Sequence, residues 1–127
     1  MPSAREAVLG IERAMVRDFN GGQTRRLLRH FHPQVLGFSS TNPERIAGKA
    51  AMARTFNYYR QASPEMRYHI RQPEVQTFGD TAVVSFYWTV ELGRGRPRHS
   101  IHGRASHVFH RQEGRWLIVH EHFSRGH

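Results

Sequence analysis

Cysteine is absent from the 127 residues, which excludes disulfide frameworks, thiolate zinc sites and cysteine nucleophiles. Long apolar runs are absent as well. Nowhere do roughly 18 apolar residues follow one another, the length that a membrane-crossing helix needs. The opening Met1-Pro-Ser-Ala-Arg5-Glu6 lacks the apolar stretch of a signal peptide. A soluble, cytoplasmic protein without a membrane partner is the expectation. Lysine is nearly missing: Lys49 is the single one among 19 Lys and Arg, which stand against 10 Asp and Glu for a formal net charge of +9. Such an excess requires a nucleic-acid partner to be weighed. The arginines are scattered along the chain, however, as on a solvated surface and not as a phosphate track. Internal repeats and low-complexity linkers are absent too, so residues 1–127 read as one domain, long enough to bury a core without a metal or a disulfide.

What is present divides the chain in two. Ser3 and Glu6 form a capping box, after which Val8, Ile11, Met15 and Phe19 recur at helical spacing until Asn20-Gly21-Gly22, predicting a helix over residues 4–19. A short second helix fits 23–30, stopped by Pro33, and residues 34–40 read as a strand. Gly48 opens a third helix in which Met52, Phe56 and Tyr59 share a stripe, closed by Ala62-Ser63-Pro64. Thereafter the period changes to two. Residues 65–72, 75–78, 81–92, 100–111 and 115–124 read as strands separated by Pro73, Gly79-Asp80, 93–97 and Glu113-Gly114. Helices followed by hairpin-linked strands make an α+β pattern.

The second half carries a specific string: Gln72-Pro73, Gly79-Asp80, Gly95-Arg96-Pro97-Arg98, Val108-Phe109-His110-Arg111, Glu113-Gly114-Arg115-Trp116 and Val119-His120-Glu121-His122-Phe123-Ser124. It resembles the association domain of calcium/calmodulin-dependent protein kinase II and its stand-alone bacterial relatives among the SnoaL-like proteins, within the nuclear-transport-factor-two-like (NTF2-like) superfamily. The resemblance implies a cone: a strongly curved antiparallel sheet wrapped by about three N-terminal helices and enclosing a pocket. It also implies a homo-oligomer, at least a dimer, built through the outer face of the sheet. Met52, His107 and Phe123 stand where the kinase domain has histidine, arginine and arginine, which suggests an apolar cavity with a single titratable group. Many SnoaL-like relatives are cofactor-free cyclases, isomerases or dehydratases that work by proton transfer. The rival reading is a non-catalytic oligomerisation module like the kinase domain itself, and neither calls for a cofactor.

The last hairpin decides which side chains meet the cavity. Glu113 is a poor first residue for a two-residue type I′ loop, so a three-residue loop pairing Arg111 with Arg115 is expected. That register puts Ala105, His107 and Phe109 on one face with Leu117, Val119, Glu121 and Phe123. His107 then lies opposite Val119 and diagonal to Glu121, near enough to interact. An imidazole in an apolar cone with a carboxylate beside it is a usable proton shuttle near neutral pH, since burial lowers its pKa and the carboxylate raises it. His107 and Glu121 are therefore the candidate catalytic pair, with Met52, Tyr59, Phe86, Trp88, Phe109 and Phe123 as walls for a small apolar or aromatic molecule. The opposite face, with Trp116, Ile118, His120 and His122, suits an oligomer interface. His120 and His122 can grip a metal only with a third ligand, and no carboxylate is evident there, so no metal site is assigned. Gly93-Arg94-Gly95-Arg96-Pro97-Arg98 resembles a minor-groove hook, but it falls between two strands and reads better as their hairpin.

Overall fold

The computed structural model describes residues 2–93 and 99–126. The arginine-rich segment 94–98 lies outside the described residues, and with it the hook-like motif. Nine elements follow in order: α1 (Ala4–Asn20), α2 (Thr24–Leu28), β1 (Phe31–Phe38), β2 (Ile46–Ala47), α3 (Lys49–Ala62), β3 (Arg67–Phe78), β4 (Thr81–Leu92), β5 (His99–Gln112) and β6 (Arg115–Arg125). Ser3 caps α1 through its hydroxyl, which accepts from the Glu6 amide at 3.1 Å. The buried stripe of α1 runs Val8, Glu12, Met15 and Asp18, so two carboxylates occupy places that helical periodicity reserves for apolar residues.

The strands form one six-stranded curved sheet of order β2-β1-β6-β5-β4-β3. Every neighbouring pair is antiparallel except β1 with β6, which run parallel. A two-residue hairpin cannot produce a parallel pair; here the chain between them passes through α3 and the three long strands. The separate strands expected on either side of Pro73 are one strand, β3, interrupted by a bulge at Gln72-Pro73. Proline has no amide to give to a ladder, and an irregularity accommodates it. Asn20 fastens the end of α1 to the sheet: its side-chain amide donates to the Tyr68 carbonyl at 2.9 Å, and its Oδ1 accepts the Tyr68 amide at 2.8 Å.

In β4 the alternation Ala82, Val84, Phe86 and Trp88 is buried as expected, and these residues join Val8, Met15, Leu27, Phe31, Val35, Met52, Phe109, Trp116 and Ile118 in the core. The β5–β6 hairpin differs from expectation. Its loop has two residues, Glu113 (φ 51°) and Gly114 (φ 77°), with Arg111 facing Trp116 and Gln112 facing Arg115. This is the type I′ geometry, whose twist matches the flanking strands. A bulge then follows, because Val108 pairs with His120 while Phe109 pairs with Ile118, leaving Val119 as the extra residue. The bulge changes the phase of β6. Before it Trp116 and Ile118 point inward, and after it Glu121 and Phe123 do.

Candidate functional site

The phase change brings His107 and Glu121 directly opposite one another. Imidazole Nε2 lies 3.1 Å from Glu121 Oε1, while Nδ1 faces the second carboxylate, Glu12 on α1, at 2.7 and 3.0 Å. All three residues are buried, at 2 % exposure for Glu12, 1 % for His107 and 4 % for Glu121. Burial alone would push His107 down, but the charge of Glu12 and the hydrogen bonds to Glu12 and Glu121 outweigh it and raise its pKa from 6.5 to about 10. The expected shuttle near neutrality is thereby corrected: a second carboxylate, not foreseen, keeps His107 an imidazolium. Its ring sits 5.3 Å from Phe86 and 5.7 Å from Phe123, centroid to centroid.

Beside this triad is a cavity of about 230 Å³ whose walls include Phe19, Phe56, Tyr59, Tyr68, Trp88 and Phe123. Glu121 reaches its wall, whereas His107 does not. Among the described residues, Glu121 Oε2 has no hydrogen-bond partner. Burial, aided by the charges of Glu12 and Glu121, raises the Tyr68 phenol well above its ordinary value of 10, so it stays protonated. Trp88 is held by its indole N–H, which donates to the Arg104 carbonyl at 3.2 Å. It lies across Gly103, where any Cβ would strike the indole. Gly37, opposite Glu121 on β1, has the same function for the carboxylate: a Cβ there would lie 2.8 Å from Glu121 Cγ.

Of the walls expected from sequence, Tyr59, Trp88 and Phe123 line the cavity. Met52, Phe86 and Phe109 do not; they are buried in solid core at 0 %, 3 % and 0 % exposure. They share the inward face, but the cavity occupies only the end of the cone beyond His107. Trp116 and Ile118, expected on the outer face, are core residues, because the tight turn and the bulge shift the first half of β6 by one position. His120 is half-buried and His122 exposed on the outer side, where the His122 ring lies 5.3 Å from Phe38. Glu12 was missed although its signal was legible. It stands at i+4 from Val8 and i−3 from Met15, a carboxylate in the middle of an apolar stripe. Tyr68 and Phe19 were missed as walls because nothing local marks which part of an apolar face stays unfilled.

Helices closed over a curved sheet, with a pocket inside, define the class: this is an NTF2-like, cystatin-like cone. Residues 8–126 match the sequence profile of the SnoaL-like domain, and the chain belongs to that family. Among curated proteins none matches. Solved structures with the same fold include the CaMKII hub of S. rosetta, 22 % identical over 99 % of this chain and 100 % of that one with a TM-score of 0.82. A proposed dehydratase of the NTF2-like family from Streptomyces avermitilis is 18 % identical over 95 % of both chains, with a TM-score of 0.84. A proposed calcium/calmodulin-dependent protein kinase II association domain from Xanthomonas campestris is 19 % identical over 99 % of this chain and 89 % of that one, with a TM-score of 0.83.

Proposed function

We propose that the protein is a small-molecule enzyme of the cofactor-free isomerase, cyclase or dehydratase type, with Glu121 as the base that meets the substrate. The observation that carries this reading is a buried carboxylate in the wall of a largely apolar cavity, held at one oxygen by His107 and, among the described residues, without a hydrogen-bond partner at the other. Glu121 Oε2 takes a proton from a carbon acid, and the electron pair shifts into the neighbouring double bond. The resulting carboxylic acid returns the proton to another carbon, which is isomerisation. Delivered instead to a departing hydroxyl, the same proton leaves with it as water, which is dehydration. His107 does not exchange this proton. As an imidazolium tied to Glu12 it holds the Glu121 carboxylate in place through the 3.1 Å contact of Nε2 with Oε1. Trp88, Phe123 and Tyr59 exclude water.

Mass spectrometry of small molecules retained by the purified protein would identify a substrate. With it, Glu121→Gln is expected to lower turnover by about 100-fold or more, and unchanged turnover would remove the mechanism. A second reading, assembly without catalysis, is favoured by the shared fold of the CaMKII hub and by the exposure of Tyr87, at 46 %, on the side of the sheet that carries His122. On that reading the interface comprises His120, His122 and Tyr87. A Tyr87→Arg, His122→Glu double variant would then change the mass measured by light scattering while leaving the cavity intact.

A further inference from the structure

The charge of the triad follows from its geometry. Both imidazole nitrogens lie within hydrogen-bond distance of a carboxylate, Nδ1 at 2.7 Å from Glu12 and Nε2 at 3.1 Å from Glu121. Two such contacts need two protons. A neutral imidazole supplies one, and its remaining lone pair would face a carboxylate lone pair. The second proton makes the ring an imidazolium between two carboxylates, and two carboxylates with one imidazolium sum to a charge of −1.

We propose that the cavity selects a small organic cation, an alkylammonium or a comparable positively charged group seated against Glu121 Oε2 and ringed by aromatic faces. The inference rests on the reading of this cavity as a small-molecule site and names its ligand class. Three observations converge on it. Glu121 is 4 % exposed, belongs to the cavity wall and has one oxygen without a hydrogen-bond partner among the described residues. A buried negative charge favours a cation that displaces little bound water. The surrounding rings of Phe19, Phe56, Tyr68, Trp88 and Phe123 offer the negative faces that attract cations, with tryptophan the strongest. The other polar wall groups, Ser39, Ser40, Thr41, Thr55, Tyr59 and Tyr68, are uncharged, and Arg125 is an exposed residue whose charge is screened by solvent and salt.

Three probes of nearly one shape test the proposal: choline, its neutral carbon isostere 3,3-dimethylbutan-1-ol, and the anion 3,3-dimethylbutanoate. Binding is read by ligand-detected NMR with displacement followed through tryptophan fluorescence. Choline is expected to bind at least ten-fold more tightly than the alcohol, and the anion least. In Glu121→Gln the preference for choline should fall to about two-fold or less. Glu12→Gln should lower it as well, although Glu12 does not touch the cavity, because it removes the same net charge. Thermal melts establish that each variant folds; should one not fold, the other carries the test. Equal binding of choline and the alcohol overturns the choice of a cation while leaving the cavity a ligand site. Binding of none of the three at 50 mM overturns both. A wild-type preference that survives in a folded Glu12→Gln protein overturns the charge argument.

Discussion

The two halves of β6 use the same alternation for opposite ends. Trp116 and Ile118, ahead of the bulge, are buried in the core, where Ile118 pairs with Phe31 on one side and Phe109 on the other. Glu121 and Phe123, beyond it, face His107 and the open volume. One additional residue, Val119, separates core from site. A bulge changes which side chains point inward without ending the strand, so a single sheet builds both a packed core wall and a cavity wall. Deleting Val119 is the strongest way to break this comparison. Either Trp116 and Ile118 or Glu121 and Phe123 must then face solvent. Each displaced large apolar side chain costs roughly 1.5–3 kcal/mol, and a broken buried ion pair roughly 3–5 kcal/mol. The total approaches the stability of a small domain, so the variant is expected to lose its cooperative melt in circular dichroism. A native-like melt would mean that the bulge is not what divides the strand.

Paired truncations sharpen the contrast. Phe109→Ala, at the solid end, is expected to cost about 3–5 kcal/mol. Phe123→Ala should cost about half as much, because its ring already borders empty space and loses fewer contacts. Urea denaturation of both variants measures the difference, and equal costs would show that the two ends are packed alike. The triad between them adds a pH dependence. His107 has a pKa of about 10 in the folded protein against 6.5 as an ordinary histidine. Below about 6.5 both states hold the proton and its stabilisation is fully present. Above it the unfolded chain releases the proton while the folded protein keeps it, so stability declines as pH rises towards about 10, by at most about 1.4 kcal/mol per pH unit from this group. Urea midpoints taken at pH 6.5, 8 and 9.5 should fall in that order, and the histidine-dependent part should vanish in His107→Gln. A midpoint that rises over this range in wild type alone would contradict the ion triad.

The helical stripe of α1, the alternation in β4 and the Gly79-Asp80 turn were all legible in sequence, because each is set by local periodicity and backbone chemistry. The cone and the inward direction of His107 and Glu121 followed from them together with the family resemblance. Their direct pairing did not, nor did the burial of Trp116 and Ile118, because a valine bulge has no glycine or proline to announce it. The parallel pairing of β1 with β6 was equally silent, being a property of the path between them and not of either strand. Glu12 shows a different kind of miss. Its sequence position was plain, but a carboxylate on an apolar stripe has meaning only once the residue facing it is known, and His107 lies 95 residues away along the chain.

The turn at Glu113-Gly114 yields the smallest prediction and the most local one. Glu113 adopts φ 51°, a left-handed conformation disfavoured for residues with a Cβ, while Gly114 at φ 77° bears no such penalty. The chain tolerates the glutamate because the two-residue loop sets the register that buries Trp116 and Ile118, and that burial outweighs the strain. Asparagine adopts the left-handed region more readily and is the favoured first residue of this turn type. Glu113→Asn is therefore expected to raise stability by about 0.5–1 kcal/mol, with the ligand affinity of the distant cavity unchanged. If the loop had three residues instead, Glu113 would not need a positive φ and the substitution would be neutral. A differential scanning measurement on this one variant thus reports whether the hairpin register, on which the placement of Glu121 depends, is the tight one.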